Sequence, residues 1–431
     1  MVQMKSAASR RNRGRGEKMT DTKENEGKGT PSAVLPADGE TRGVRETNAP
    51  DMINFLRVAA TLFVFFLHGR AYVPGLDGAS GAAFLTSPPA WAGVWILFFL
   101  SGYLMEKGFR KGRYEVFGER GFSFRKLIGF CAGRFVRIAP AYYLYLFFFV
   151  LLRGNPYFFS SPSVLLRMLT FTFNGEGGSV GIGHLWYLSP AMWLYVTAPF
   201  FDRLLRMLRL RGRLVLFFSL AACGMAARWG LYFAGADWNR WIYTFLPMNL
   251  DLFFCGMLAE SFAGGIGEKA RKMPGFWAKA GSLTAFFALV VCNCYIYHYA
   301  TPARINLYRF ALPTAYILIC SLLLLAFDSE PVARKRGVCD CLRNPLRLID
   351  AFASKTYEFY IFHIAVFEYV AAGLVLFSGY AGLSAGVRWC IFFGCSFALT
   401  LLAACLYSGM LSAFSKKRKA VSETAFGGRR G

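Results

Sequence analysis

Acidic charge is scarce in this chain. It has 25 Asp and Glu against 49 Lys and Arg, for a net charge of +24. An excess of that size often marks a nucleic-acid surface. Here the basic residues lie in the tails and in alternate loops, which is the pattern of the positive-inside rule and excludes a nucleic-acid partner. Metal-site spacing is also lacking among the 11 cysteines. Cys292/Cys294 and Cys339/Cys341 are close pairs with no spaced second pair, while Cys255, Cys320, Cys395 and Cys405 sit in apolar runs and read as small buried hydrophobes. No metal is expected. The amino terminus has no apolar core and cleavage site of a signal peptide, residues 1–50 reading instead as a polar, disordered basic tail in which Met19 offers a later start, as does Met52 just beyond it. The Gly-rich run Gly175–Gly183 has no βαβ context, which excludes a dinucleotide fingerprint. No internal repeat or matched pair of broken helices is visible, which argues against a transporter built on inverted repeats.

What the chain does have is long apolar runs. Hydrophobic residues make up 55% of 431, above the 45–50% or so of a soluble domain, and they are grouped. Ten runs approach the length of a membrane span: Met52–His68, Ala90–Met105, Phe135–Leu152, Leu185–Phe201, Leu214–Ala234, Trp241–Phe262, Phe276–Tyr299, Leu307–Phe327, Tyr357–Phe377 and Val387–Phe414. Basic residues crowd the loops after the second, fourth, sixth and eighth runs, and the tail at Lys416–Lys419; the other loops are poor in them. This alternation predicts an all-α, polytopic transmembrane bundle of about ten spans with both termini in the cytoplasm. Residues 51–414 form that domain, and 415–431 a basic cytoplasmic tail. The middle of the longest outer loop, Val164–Phe173, reads as a short surface helix.

Polar side chains inside the runs are few. The first span carries Arg57 and His68, eleven residues apart. Eleven residues is nearly a whole number of helical turns, so both share one face, about 16 Å apart along the axis. Ionisable groups inside a span are costly and mark function by default, although Arg57 can also snorkel to headgroups. Arg134 and Arg137 share a face at the start of the third span, where a fork suits phosphate recognition and anchoring is the simpler alternative. His184 opens the fourth span at the depth of His68, with Trp186 and Tyr187 beside it, aromatic faces of the kind on which sugar rings stack. Ser101, Gly102 and Tyr103 lie in the second span, where small residues allow close helix contact. Asp251 in the sixth span and Glu368 in the ninth are intramembrane acids that must be paired or protonated. They are candidates to orient an imidazole or to neutralise Arg228, Arg309 or Arg57. His298 reads as interfacial.

Together these residues resemble the integral-membrane acyltransferase type 3 family, from the first span to the last. Arg57-x10-His68 is similar to its Arg-x10-His motif, and Arg134-Phe-Val-Arg137 to its R-x-x-R motif. Phe98–Tyr103, His184–Leu188, Asp251–Gly256 and Tyr360–His363 resemble further blocks in the same order. One departure is Ser189-Pro190-Ala191, where many members with a soluble extra domain carry a Glu. The chain also shows no appended outer domain, which places it nearer the compact members that modify exported or lipid-linked glycans. The resemblance implies an O-acyltransferase of the bacterial inner plasma membrane. It would transfer an acyl group, commonly acetyl, from cytoplasmic acyl-CoA to a hydroxyl of an exported or lipid-linked carbohydrate. Arg57, Arg134 and Arg137 would hold the phosphates of acyl-CoA. His68 would be the general base or a transient acyl carrier. His184, Trp186, Tyr103 and Ser101 would bind substrate, with Tyr103, Ser101 or His184 available to an oxyanion. The competing expectation is a multi-span transporter or flippase for a glycan or lipid precursor, since intramembrane ionisable residues also mark transport paths.

Overall fold

The computed structural model describes residues 51–73, 90–119, 121–151, 161–173, 181–265, 275–299, 302–327 and 343–427. The tail expected over residues 1–50, most of the glycine-rich run and the basic residues 334–336 lie outside them. Twelve α-helices are present among the described residues: α1 (Met52–Arg70), α2 (Ala90–Arg110), α3 (Phe124–Tyr145), α4 (Pro162–Leu169), α5 (Leu188–Met207), α6 (Leu210–Phe233), α7 (Leu250–Gly265), α8 (Phe276–Tyr299), α9 (Pro302–Phe327), α10 (Arg343–Ala353), α11 (Thr356–Val375) and α12 (Ala385–Gly427). A two-stranded antiparallel hairpin, β1 (Phe117–Gly118) with β2 (Gly121–Phe122), joins α2 to α3.

Local chemistry sets the ends. The Asp51 carboxylate caps α1 by accepting from the Ile53 amide at 3.0 Å, and Ser123 caps α3 from outside its first turn. Pro162 and Pro302 stand at helix starts, where a missing N–H costs nothing. Glu115 meets the Lys126 ammonium at 2.9 Å across the hairpin, which holds its carboxyl below the usual carboxylate range. The helix expected within Val164–Phe173 is α4. Its carbonyls at Met168 and Leu169 accept from the hydroxyls of Tyr142 and Tyr143, so α4 is fastened to α3. A helix not expected from the sequence, α10, occupies part of the basic loop before α11, and its Asp350 accepts from Asn54 of α1 at 2.9 Å.

Among the described residues, six helical segments are long and apolar enough to cross a membrane: α1, α6, α8, Phe310–Phe327 of α9, α11, and Ala385–Ala413 of α12. The other four expected spans correspond to α2, α3, α5 and α7. They are helical but carry breaks or charges. α2 ends in Glu106, Lys107 and Arg110; α3 has a polar first half; α5 contains Asp202, Arg203 and Arg206; and α7 has only 16 residues, preceded by a π turn (Trp238–Tyr243) and a 3-10 turn (Leu246–Asn249). Large side chains such as Trp193, Phe218, Phe287 and Leu406 point outward. In water they would form extensive apolar patches, whereas in a bilayer they face a matching solvent.

The core is built around α2, packed between α1 and α7. Gly102 of α2 and Gly256 of α7 make this possible. A Cβ on Gly102 would meet the Phe253 carbonyl, and one on Gly256 the Phe99 carbonyl, so the two backbones touch reciprocally. Beside α7, Arg228 of α6 meets Asp251 at 2.6 Å and donates to the Met248 carbonyl at 2.8 Å, both side chains being only 3% exposed. The Asn249 amide donates to the Tyr243 and Phe245 carbonyls, which holds the broken approach to α7. On the far side, Phe65 of α1 packs with Phe359 and Phe367 of α11 and Phe393 of α12, and Gly69 leaves room for the Phe393 ring. This aromatic layer presses α11 onto α1.

Candidate active site

α1 carries Arg57 toward one end and His68 toward the other, as the helical spacing requires. At the His68 end three imidazoles converge. His68 lies on α1, His184 on the 3-10 turn Gly183–Tyr187 that leads into α5, and His363 on α11. The His68 and His363 rings stack at 5.1 Å between centroids, and His184 stands edge-on, 5.0 Å from His363 and 6.3 Å from His68. Three of the four histidines in the chain thus share one place.

Backbone carbonyls fix their tautomers. His363 Nδ1 lies 2.6 Å from the Tyr360 carbonyl, which can only accept, so Nδ1 carries the proton. In the neutral ring Nε2 is then a bare acceptor. It lies 2.8 Å from His68 Nδ1, which must therefore donate. The His68 proton is on Nδ1, and Nε2 is left as a bare nitrogen. The same reasoning applies to His184. Its Nε2 donates to the Ile361 carbonyl at 3.1 Å, leaving Nδ1 bare. The Tyr360 hydroxyl donates to the His184 carbonyl. Four residues of α11, from 360 to 363, therefore hold both other imidazoles.

His68 and His184 line a cavity of about 90 Å³ with Val64, Val94, Trp186 and Tyr360. It has room for several water molecules or a short acyl group. Among the described residues no group of three His, Cys, Asp or Glu side chains is arranged to hold a metal ion. The reason is visible in the imidazoles: four of their six nitrogens are already committed to hydrogen bonds.

The opposite end of α1 is cationic. Arg57 is half-buried and reaches Asn54 at 3.5 Å. Its field is shared with Arg137 of α3 and with the hydroxyls of Tyr187 and Tyr195. The fork expected from Arg134 and Arg137 is split. Arg134 donates to the Tyr114 hydroxyl at 2.5 Å, its guanidinium 4.7 Å from the centre of that ring, whereas Arg137 is exposed and acts on Arg57 and Glu358. Between the two ends, Ser101 and the Tyr187 hydroxyl form a hydrogen bond at 3.0 Å.

The remaining expected residues fall in different places. Trp186 lines the cavity and packs on Tyr243, with ring centroids 4.6 Å apart. Tyr103 is buried in the core with the Lys107 ammonium 5.7 Å above its ring, away from the cavity lining. Asp251 is committed to Arg228 and does not orient an imidazole. Glu368 is half-buried on α11, near Tyr72. His184 gives its Nε2–H to the Ile361 carbonyl and its Nδ1 is buried, so as a neutral ring it has no N–H left for an oxyanion. The sequence reading gave His363 no role. Its signal was the one applied to His68, an ionisable residue inside an apolar run.

No solved structure matches the chain. A stretch of 133 residues is 32% identical to the Regulator of hypoxia-inducible factor 1 of Caenorhabditis elegans, and covers 28% of this chain and 24% of that protein. The chain thus spans about a quarter of that relative's length. The acyltransferase domain (acyltransferase 3) matches residues 51–408, which run from the cap of α1 into α12 and include all three imidazoles and both cationic helices. The chain is a multi-pass membrane protein and belongs to the acyltransferase 3 family.

Proposed function

We propose that this protein is an O-acyltransferase of the inner plasma membrane, with both termini cytoplasmic. It moves a short acyl group, acetyl above all, from acyl-CoA to a hydroxyl of an exported or lipid-linked carbohydrate. The observation that carries this reading is the relay from the Tyr360 carbonyl through His363 to His68, which ends in a bare Nε2 at a small cavity. A bare imidazole nitrogen held by a second group is the pattern of a general base.

The reaction runs as follows. His68 Nε2 takes the proton of the acceptor hydroxyl as its oxygen adds to the thioester carbonyl. The C–S bond then breaks, and the proton passes from His68 to the departing thiolate. The products are the ester and free CoA thiol. As His68 becomes cationic, its Nδ1–H bond to His363 becomes charge-assisted and strengthens, which favours the transition state over the ground state. His363 positions the base and does not touch substrate. Arg57 and Arg137 repel each other, with one carboxylate in the field of each, Asp51 for Arg57 and Glu358 for Arg137. Acyl-CoA brings phosphates to that end, which relieves the repulsion. The separation of about 16 Å between Arg57 and His68 suits an extended pantetheine arm.

The test uses membranes holding the wild type or His68→Ala at matched levels, with acetyl-CoA labelled in the acetyl group. Label should enter extracted lipid-linked or cell-surface glycan with the wild type and not with the variant. Equal labelling would remove His68 as the base. Intact acetyl-CoA in both, alongside movement of a glycan precursor, would favour a flippase.

A further inference from the structure

His68 forms one wall of the cavity, and the other walls take no part in moving the proton. Val64 of α1 lies one helical turn before His68, on the same face, and Val94 of α2 lines the cavity with it. They are 2% and 4% exposed. Both are β-branched and have little freedom to turn aside. Gly93 fixes their spacing. A Cβ on Gly93 would meet the Ala60 carbonyl and Val64 Cγ2, so α2 lies backbone against α1 at this level. The aromatic walls are braced as well. Trp186 packs on Tyr243 and Phe98, Trp91 meets the Tyr297 ring at 5.5 Å, and the Tyr360 hydroxyl is held by the His184 carbonyl.

Walls fixed in this way make the space selective for size. A cavity of about 150 Å³ binds benzene, which is about 25 Å³ for each of its six carbons. On that scale about 90 Å³ takes about three or four heavy atoms. An acetyl group has three and a propionyl group four. A butyryl group has five, and the acceptor hydroxyl also needs room beside the thioester carbonyl. Each methylene beyond the space available costs roughly 10–200-fold in rate.

We propose that the wall formed by Val64 and Val94 limits the length of the acyl group, and that the size of Val94 selects acetyl and propionyl over longer chains. This rests on the acyltransferase reading and names the residue that sets the donor class within it. Val94 is a specificity residue that can be changed without disturbing the base. It lies on a different element from all three imidazoles, whereas Leu67 adjoins His68, Trp186 is two residues from His184, and Tyr360 holds both His184 and His363.

Membranes holding the full-length protein are given acetyl-, propionyl-, butyryl- or hexanoyl-CoA, each labelled at the acyl carbonyl carbon. Label in extracted lipid-linked or cell-surface glycan is counted, and membranes with His68→Ala supply the background. The wild type should transfer acetyl and propionyl at comparable rates, and butyryl and hexanoyl at least roughly tenfold more slowly. Val94→Ala takes two carbons from the wall and should raise the ratio of butyryl to acetyl transfer roughly tenfold, with hexanoyl still slow. Val94→Leu adds one carbon and should lower the ratio of propionyl to acetyl roughly tenfold. Val215→Ala, at an outward-facing position of α6, should leave every ratio unchanged. Ratios within one preparation do not depend on the amount of folded protein. A wild type that transfers hexanoyl as fast as acetyl overturns the proposal even if no variant folds. A butyryl ratio unmoved in Val94→Ala also overturns it, because the cavity would then hold the acceptor alone. So does a ratio moved equally in Val215→Ala, which would make looser packing the cause. No His68-dependent transfer from any of the donors refutes the acyltransferase reading, and the length limit with it.

Discussion

Replacing His363 by leucine tests whether His68 is held as a base. The substitution keeps an apolar side chain of similar bulk behind His68 and removes the acceptor at 2.8 Å. In the resting enzyme that bond joins two neutral rings, about 1 kcal/mol in net terms, and in the transition state His68 carries charge, which raises the bond to about 1.5–3 kcal/mol. The difference is about 0.5–2 kcal/mol lost from the transition state alone, or roughly 2–30-fold in kcat at about 1.36 kcal/mol per tenfold. A second loss adds to it. An imidazole without a partner distributes its proton over both nitrogens, and only the Nδ1–H form presents a base to the cavity. kcat should fall between about fourfold and 60-fold, with KM for acetyl-CoA nearly unchanged, since the bond matters only once charge develops. His363→Gln restores an amide carbonyl near the lost nitrogen and should recover part of kcat. Initial rates of thiol release against acetyl-CoA concentration separate the two constants. A folded His363→Leu protein with kcat within about twofold of wild type would refute the relay. A loss confined to KM would reassign His363 to donor binding.

Three other perturbations have expected outcomes. Asp251→Asn leaves the Arg228 cation buried with neutral acceptors only, the Met248 carbonyl and the new amide oxygen, and should destabilise by about 3–5 kcal/mol, most of it regained when Arg228→Met is added; the midpoint of thermal inactivation in detergent measures both. Gly102→Val drives a side chain into the Phe253 carbonyl at the α2–α7 crossing and should cost about 1–3 kcal/mol or prevent a monodisperse protein, read by size-exclusion chromatography. Arg137→Ala should raise KM for acetyl-CoA roughly tenfold with kcat unchanged, whereas Arg134→Ala, whose guanidinium is occupied by Tyr114, should act on stability and leave KM nearly untouched. Equal KM effects in the two variants would restore the paired fork read from the sequence.

Much of the helical framework was legible because apolar runs of span length admit few structures in lipid. All ten runs are mainly helical over their described residues. Gly102 was legible as a close-contact residue, but its partner Gly256 was not. The break before α7 was hidden, since Trp241–Phe262 reads as one mainly apolar run and only Pro247 and Asn249 mark where the helix is interrupted. The helix α10 was hidden for another reason: its residues are basic and amphipathic, and in a loop full of Arg and Lys that pattern reads as charge placement. Counting apolar runs also overstates what length and apolarity alone license, because α2, α5 and α7 depend on neighbours to shelter their charges, polar turns or short length.

The site was half legible, and the missing half has a physical reason. Arg57 and His68 share a face by helical arithmetic, and an ionisable residue inside a span announces itself. What orients His68 does not. A sequence reader looks for a carboxylate, as in a Ser-His-Asp arrangement, and Asp251 and Glu368 were the ones present. The chain uses a second imidazole and a backbone carbonyl instead, and every residue has a backbone carbonyl, so no motif marks it. This choice suits the solvent. A carboxylate beside His68 would be a buried anion whose partner is neutral for most of the cycle, and an unpaired charge in a dry site is expensive. Asp251 avoids that cost through Arg228, a permanent cation. A relay of neutral rings ending on a carbonyl carries no net charge at rest and becomes cationic only while the proton is on His68.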